Sequence, residues 1–448
     1  MSLTNRKIQR SFLSFTFLML VMVIPGGSPH AMPPVQRLIL PNQLVLLMSE
    51  DHSLPFVTLQ VVVNSGSWRD PPGQEGLAYL TAKSILLGTS KHTTTQMNEE
   101  LDFIGANLSA STNRDYATLS LRLLKKDLEK GLDLLMEALT QPTFPEEEIR
   151  REIEKTLAAI QSAEDQPGDV AEKEFQKALF PKNPYGHPVE GTKQSLPKLK
   201  RENLLQFFRA YYHPNIAIFT VVGDLTPDEV KDKLLPPLEK WSVADIPKES
   251  FDSIFATEPK TIKINRDITQ ANIILGHRGV SREDPDYYAI SVMNYILGGG
   301  GFASRLTEEV RNKRGLAYDV QSFFDPGKHP GSFQIVLQTK NASAREAISL
   351  SLQQVERIRK EPVSEKELEG AQKYLIGSFP MRFDSQSKLA NFLTQIEYYG
   401  LGLDYPEKYP FLIRAITREG VLRVARTYLH PDELIQVIVG NLKEAGME

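Results

Sequence analysis

The sequence predicts an α+β protein of two homologous domains, each a mostly antiparallel sheet packed with helices on one side. Three observations predict it. The chain has 448 residues, 41% of them hydrophobic, so there is apolar mass for a sizeable core in each of two to three domains. Runs with a period of two alternate with runs spaced at three and four residues. One unit also occurs twice. Tyr212-His213-Pro214-Asn215 precedes an apolar run ending Val221-Val222-Gly223-Asp224, and Tyr428-Leu429-His430-Pro431-Asp432 precedes one ending Ile438-Val439-Gly440-Asn441. The two His are 217 residues apart, and Phe144 to Ile149 resembles Pro362 to Leu368 with helix starts 219 apart. The first domain is expected over 32–247, a linker over 248–258 and the second domain over 259–448.

The elements of the first domain follow in order. Arg37 to Leu40, a Pro41-Asn42 turn and Leu44 to Met48 read as a β-hairpin. Phe56 to Asn64 is a strand with β-branched residues on both faces. Between Gly76 and Leu87 the spacing turns helical, with Leu77, Leu80, Ser84 and Leu87 on one stripe. Thr94 to Ile104 is a second helix, capped by Thr95, and Tyr116 to Leu123 alternates as a strand. Helices follow over Asp127 to Leu139 and Pro145 to Ser162. Pro145 suits a first turn, and Glu146, Glu147 and Glu148 suit the positive end of the helix dipole.

The second domain repeats the order. Gln270 to Leu275 is a strand, Tyr287 to Leu297 and Ala303 to Lys313 are helices, and Leu316 to Phe323 and Ser332 to Gln338 are strands. Ala342 to Arg359 and Ser364 to Ser378 are helices. His213 and His430 precede Pro at the same place in both units, which reads as a structural turn.

Composition excludes several chemistries. With no cysteine there is no disulfide, thiolate nucleophile or thiolate metal site. A net charge of −4 without a basic stripe argues against nucleic acid as a partner. Arg6, Lys7 and Arg10, the apolar run Phe12 to Ile24 and the breaker Pro25-Gly26-Gly27-Ser28 predict an export signal over 1–31, with Ala31 as a cleavage point. Periplasmic or secreted localisation follows, with an uncleaved anchor as the alternative. No stable membrane insertion is expected once the signal is removed.

Further motifs point to a family. Gly76-Leu77-Ala78, Gly88-Thr89, Phe144-Pro145-Glu146, Glu164-Asp165-Gln166-Pro167, Pro184-Tyr185-Gly186, Val222-Gly223-Asp224 and Arg314-Gly315-Leu316-Ala317-Tyr318 stand in order along the chain. So do Gly298 to Leu306 and the stretch Phe379 to Pro410. Together they resemble the M16 metallopeptidases (pitrilysin, insulinase, mitochondrial processing peptidase), especially the bacterial two-domain branch. The resemblance implies the M16/LuxS-like metallohydrolase fold. In active members the first helix carries His-x-x-Glu-His. Its two His lie on one helix face and bind zinc, the Glu acts as general base, and a Glu on a later helix completes the metal shell. Here the register set by Gly76 and Gly88-Thr89 puts Tyr79, Ala82 and Lys83 at the His, Glu and His positions, and Ala159 at the later ligand. None can do the work: Ala82 accepts no proton, Ala159 binds no metal, Tyr79 is a weak ligand and Lys83 brings a cation to the metal position. The eight His residues include no pair at ligand spacing.

Other chemistries find no support. Gly298-Gly299-Gly300-Gly301 lacks the Lys and Ser/Thr of a phosphate loop and reads as a flexible loop lining a cavity, with a structural helix terminus as the alternative. No Gly-x-Ser-x-Gly elbow is present. The resemblance therefore implies a non-catalytic subunit of an exported heterodimeric zinc endopeptidase. It would carry no cofactor of its own and would enclose peptide or unfolded-protein substrate beside a partner M16 subunit with an intact His-x-x-Glu-His motif and Zn²⁺. Substrate-holding candidates are Arg314 with Tyr318, Arg382 with Tyr399, and Gly298 to Gly301. Lys83 is a candidate for a substrate carbonyl or an acidic partner residue. The alternatives are a self-sufficient zinc peptidase with an atypical site and a homodimeric scaffold resembling the core subunits of the respiratory bc1 complex.

Overall fold

Val57, Leu59, Val61 and Val63 alternate with Thr58, Gln60 and Val62, and this alternation sets which way the first sheet faces. The computed structural model describes residues 32–181, 183–248 and 258–448. The expected signal (1–31) and nearly all of the expected linker (249–257) lie outside the described residues.

The first sheet has six strands: β1 (Gln36–Ile39), β2 (Val45–Glu50), β3 (Phe56–Val63), β4 (Asn107–Thr112), β5 (Ala117–Leu124) and β6 (Ala217–Gly223). Their order is β1-β2-β6-β3-β5-β4, antiparallel except for the β2–β6 pair. Its helices are α1 (Leu77–Ser84), α2 (Thr94–Phe103), α3 (Leu128–Thr140), α4 (Glu146–Glu164), α5 (Pro167–Leu179), α6 (Arg201–Tyr211) and the short α7 (Pro227–Glu229) and α8 (Leu235–Glu239). The cap of α2 is Thr93, two residues earlier than the expected Thr95. Its hydroxyl accepts the Gln96 N–H while Gln96 reaches back to the Thr93 N–H.

The second sheet has five strands: β7 (Lys260–Asn265), β8 (Gln270–Arg278), β9 (Ala317–Asp325), β10 (Ser332–Lys340) and β11 (Ile435–Gly440), in the order β7-β11-β8-β10-β9. Only β7–β11 is parallel. Its helices are α9 (Tyr287–Asn294), α10 (Ala344–Lys360), α11 (Glu365–Ser378), α12 (Gln386–Tyr398), α13 (Tyr405–Arg414) and α14 (Arg418–Tyr428). Ser364 caps α11 through the Glu367 N–H.

Each sheet carries helices of its own half on one face: Val57, Leu59 and Val61 pack with α1, α3 and α6, and Ile273, Leu275 and Ile335 with α9 and α10. The reverse faces are covered crosswise. Helix α5 lies on β8 and β11 of the second sheet, with Phe175 and Ala171 buried against Ile274, Val437 and Val439. Helix α12 lies on β3 and β6 of the first, where its Thr394 hydroxyl meets Gln60 Nε2 (3.2 Å) and the Thr220 hydroxyl (3.0 Å). The two exchanged helices begin 219 residues apart, at 167 and 386, so they are the same element of the repeat. Residues 32–448 consequently form one compact unit. Among the described residues no helix is long and apolar enough to cross a membrane.

Candidate functional site

Helix α1 starts at Gly76, whose φ of +92° is left-handed and whose missing side chain lets it abut the Glu190 carbonyl and Gly191. The first N–H groups of the helix are taken by a buried carboxylate: Asp70 accepts from Gly76 (2.8 Å) and Ala78 (2.7 Å). Burial pushes the pKa of Asp70 well up, against the pull of those two bonds. This clamp holds α1 beside α4 and the 186–191 loop.

Between these elements lies a cavity of about 520 Å³, lined by Tyr79, Thr156, Ala159, Ile160, Arg114, His187 and Glu190, among others. Two of the expected degenerate positions, Tyr79 and Ala159, thus meet at one cavity from two helices. Ala82 is fully buried in the core beneath and does not line it. Lys83 turns along the sheet: its Nζ donates to the Ala110 carbonyl of β4 (2.8 Å) and lies 5.6 Å from the Tyr79 ring centre.

The donor set does not fit zinc. Burial, with the negative charges of Glu152 and Glu190, raises the Tyr79 pKa, so its phenol stays neutral. Ala159 offers no donor, and the Lys83 ammonium has donors only. His187 is a single imidazole, whose pKa burial lowers and whose Nδ1 bonds the Pro188 carbonyl (2.9 Å). Among the described residues no three His, Cys, Asp or Glu side chains gather where they could hold a metal ion.

The second candidate region is a corner between the glycine run and β9. Residues Tyr295–Gly299 wind as a π turn, Gly298 packs flat on the Ser322 backbone, and Gly301 takes a φ of +54°. Beyond it Phe302 (71% exposed) and Tyr318 (74% exposed) stand in solvent. The guanidinium between them belongs to Arg311, 4.8 Å from the Phe302 ring and 5.4 Å from the Tyr318 ring. Arg314, the expected partner of Tyr318, instead reaches Glu346 on the surface (3.4 Å). The reason is the winding of Thr307–Asn312, also a π turn, which swings Arg311 back over the strand. Nothing in the residue pattern announces that turn; only the seven-residue spacing to Tyr318 hints at the pair.

Arg305 anchors this corner to α11 by a two-bond pair with Glu367 (2.6 and 3.0 Å). Burial would raise the Glu367 pKa, but Arg305 and the Ser364 N–H and hydroxyl bring it down to about 2.

The other candidate pair is not brought together. Arg382 lies against the rings of Phe379 and Tyr409 and lines a cavity of about 200 Å³ that Gly299 also borders. Tyr399 points to Asp115 between the two halves (3.5 Å), and burial raises its pKa. Asp115 also accepts the Tyr185 hydroxyl and the Lys328 N–H (3.0 Å), so this cluster ties the halves together.

The family model for insulinase (peptidase family M16) matches residues 45–193, and the model for the peptidase M16 inactive domain matches residues 198–375. The uncharacterized zinc protease YmxG of Bacillus subtilis is 26% identical over 354 residues, 78% of this chain and 85% of that protein. The non-peptidase homolog YmxG of Helicobacter pylori is 26% identical over 404 residues, 89% of this chain and 92% of that protein. A crystal structure of a peptidase M16 inactive domain from Pseudomonas fluorescens superposes with a TM-score of 0.85 at 28% identity, covering 91% of this chain and 98% of that chain.

Proposed function

This chain is homologous to the M16 peptidases in both of its halves, and on that premise we propose that it is a non-catalytic subunit of an exported, heterodimeric zinc endopeptidase. One observation carries the reading: where α1 and α4 meet at the cavity, the helices present Tyr79, Thr156, Ala159 and Ile160, which supply neither metal ligands nor a general base, and the His187, Glu190, Glu164, Asp169 and Glu172 side chains elsewhere on its wall do not, among the described residues, gather as a group of three that could hold a metal ion. The partner is an M16 subunit with an intact His-x-x-Glu-His helix and its own Zn²⁺. This chain supplies the opposite wall of the chamber and holds peptide or unfolded protein there, shut away from bulk water.

The holding surface is the exposed corner of Phe302, Arg311 and Tyr318, with the glycine run behind it. A guanidinium forks onto peptide carbonyls or a carboxylate, a phenol donates one further bond, and the exposed ring of Phe302 takes an apolar side chain. The Arg382 cavity is a second holding candidate on the same half.

The test is co-expression with an M16 chain that carries the motif. Cleavage of a quenched peptide should require both chains, zinc and the motif Glu of the partner. Chelator-sensitive cleavage by this chain alone would refute the reading.

A further inference from the structure

Strand β4 is one of the two edge strands of the first sheet, β1 being the other. The Asn113 N–H bonds the Tyr116 carbonyl (3.0 Å), which sets the alternation: residues 107, 109 and 111 pair with β5, while 108, 110 and 112 turn their N–H and C=O groups outward. An extended peptide adding to this edge must donate an N–H to one of those outward carbonyls. The Ala110 carbonyl, in the middle of the edge, already has a donor in Lys83 Nζ at 2.8 Å.

Lys83 reaches it from α1, which packs alongside β4, so its side chain bridges the slot through which an added strand would run. Its ammonium lies 5.6 Å from the Tyr79 ring centre and, with three donors, makes a charge-assisted bond to the carbonyl. The remaining outward groups flank this bridge on either side, too short a run for stable pairing.

We propose that Lys83 is a latch that closes the β4 edge of this chain to strand addition, and that a peptide held by the chain therefore lies at the Phe302–Arg311–Tyr318 corner of the second sheet. The choice of that corner rests on the peptide-holding function proposed above; the latch does not. Lys83 is a specificity-determining residue here: it decides whether the β4 edge accepts an extended chain.

The test uses the full chain and a photoreactive extended peptide of about ten alanine, valine and lysine residues carrying a benzophenone side chain. Labelled sites are mapped by mass spectrometry in the unsubstituted chain and in Lys83→Met, Lys83→Gln and Lys83→Arg. In the unsubstituted chain labelling is expected within 302–318 and not within 107–112. Lys83→Met and Lys83→Gln should raise labelling of 107–112 about tenfold, and Lys83→Arg, which keeps a charged donor, should keep it low. Labelling of 107–112 in the unsubstituted chain overturns the latch. So does its absence from both neutral variants when either melts as the unsubstituted chain does. Labelling of 107–112 in the neutral variants without labelling of 302–318 in any chain supports the latch and overturns the holding corner.

Discussion

Tyr79 and Ala159 sit 80 residues apart in the chain and share one cavity wall, so single side chains decide what chemistry that cavity lacks. Position 79 is followed one helical turn later by Lys83 on the same face, which is the spacing two metal ligands need. The prediction at this scale is a gain. Tyr79→His, Lys83→His and Ala159→Glu combined should raise tightly bound zinc from below about 0.1 to about one equivalent, measured by atomic emission after dialysis. Any one of the three alone should leave it low. A triple variant that folds and holds no zinc would show that the backbone has also left the metal geometry.

At the scale of the element, the end of β8 is pinned to the turn before β11 by one imidazole. His277 is buried; its Nδ1 donates to the Arg278 carbonyl (2.8 Å) and its Nε2 accepts the His430 N–H (3.1 Å). Burial first, and the charge of His430, push its pKa down to about 4, against the Arg278 bond. The fold thus prefers the neutral ring. That contribution is complete above the ordinary histidine value of about 6.5 and is lost as pH falls through about 4. Between pH 7 and pH 4.5 it should cost about 2–3 kcal/mol of stability. Urea unfolding at the two pH values should show this loss in the unsubstituted chain and not in His277→Gln, whose amide can make both bonds. Equal losses would refute it. His430 was legible as a turn residue from its repeat with His213. Its backbone partner, His277, was not, because the contact spans 153 residues.

At the scale of the whole molecule, the crosswise placement of α5 and α12 makes each half the cover of the other's sheet. Phe175 lies against Gly276, where even a Cβ would come within 2.6 Å of the ring. Phe175→Ala should cost about 3–5 kcal/mol, read from the thermal midpoint and urea curve, because it opens a void between the halves. A chain cut once between 248 and 258 should still elute as one particle in size-exclusion chromatography. Separation into two folded fragments would refute the exchange as the main bond between the halves.

Local pattern carried much of this protein. The alternation of Phe56–Val63, the helical stripe of Leu77, Leu80 and Ser84, and the helix starting at Ser364 are short-range consequences of residue type, and so were readable in order. The repeat was readable too, since it needs only register along the chain, while Tyr79, Ala82, Lys83 and Ala159 were singled out by the resemblance to a family whose motif falls on those positions. Three features depended on tertiary structure: the Arg311–Tyr318 pairing, made by a π turn; the turn of Lys83 onto the Ala110 carbonyl; and the exchange of α5 and α12. Each is settled by which distant surface a side chain or helix finds to bury against or bond, and that choice is made only when the two sheets come together.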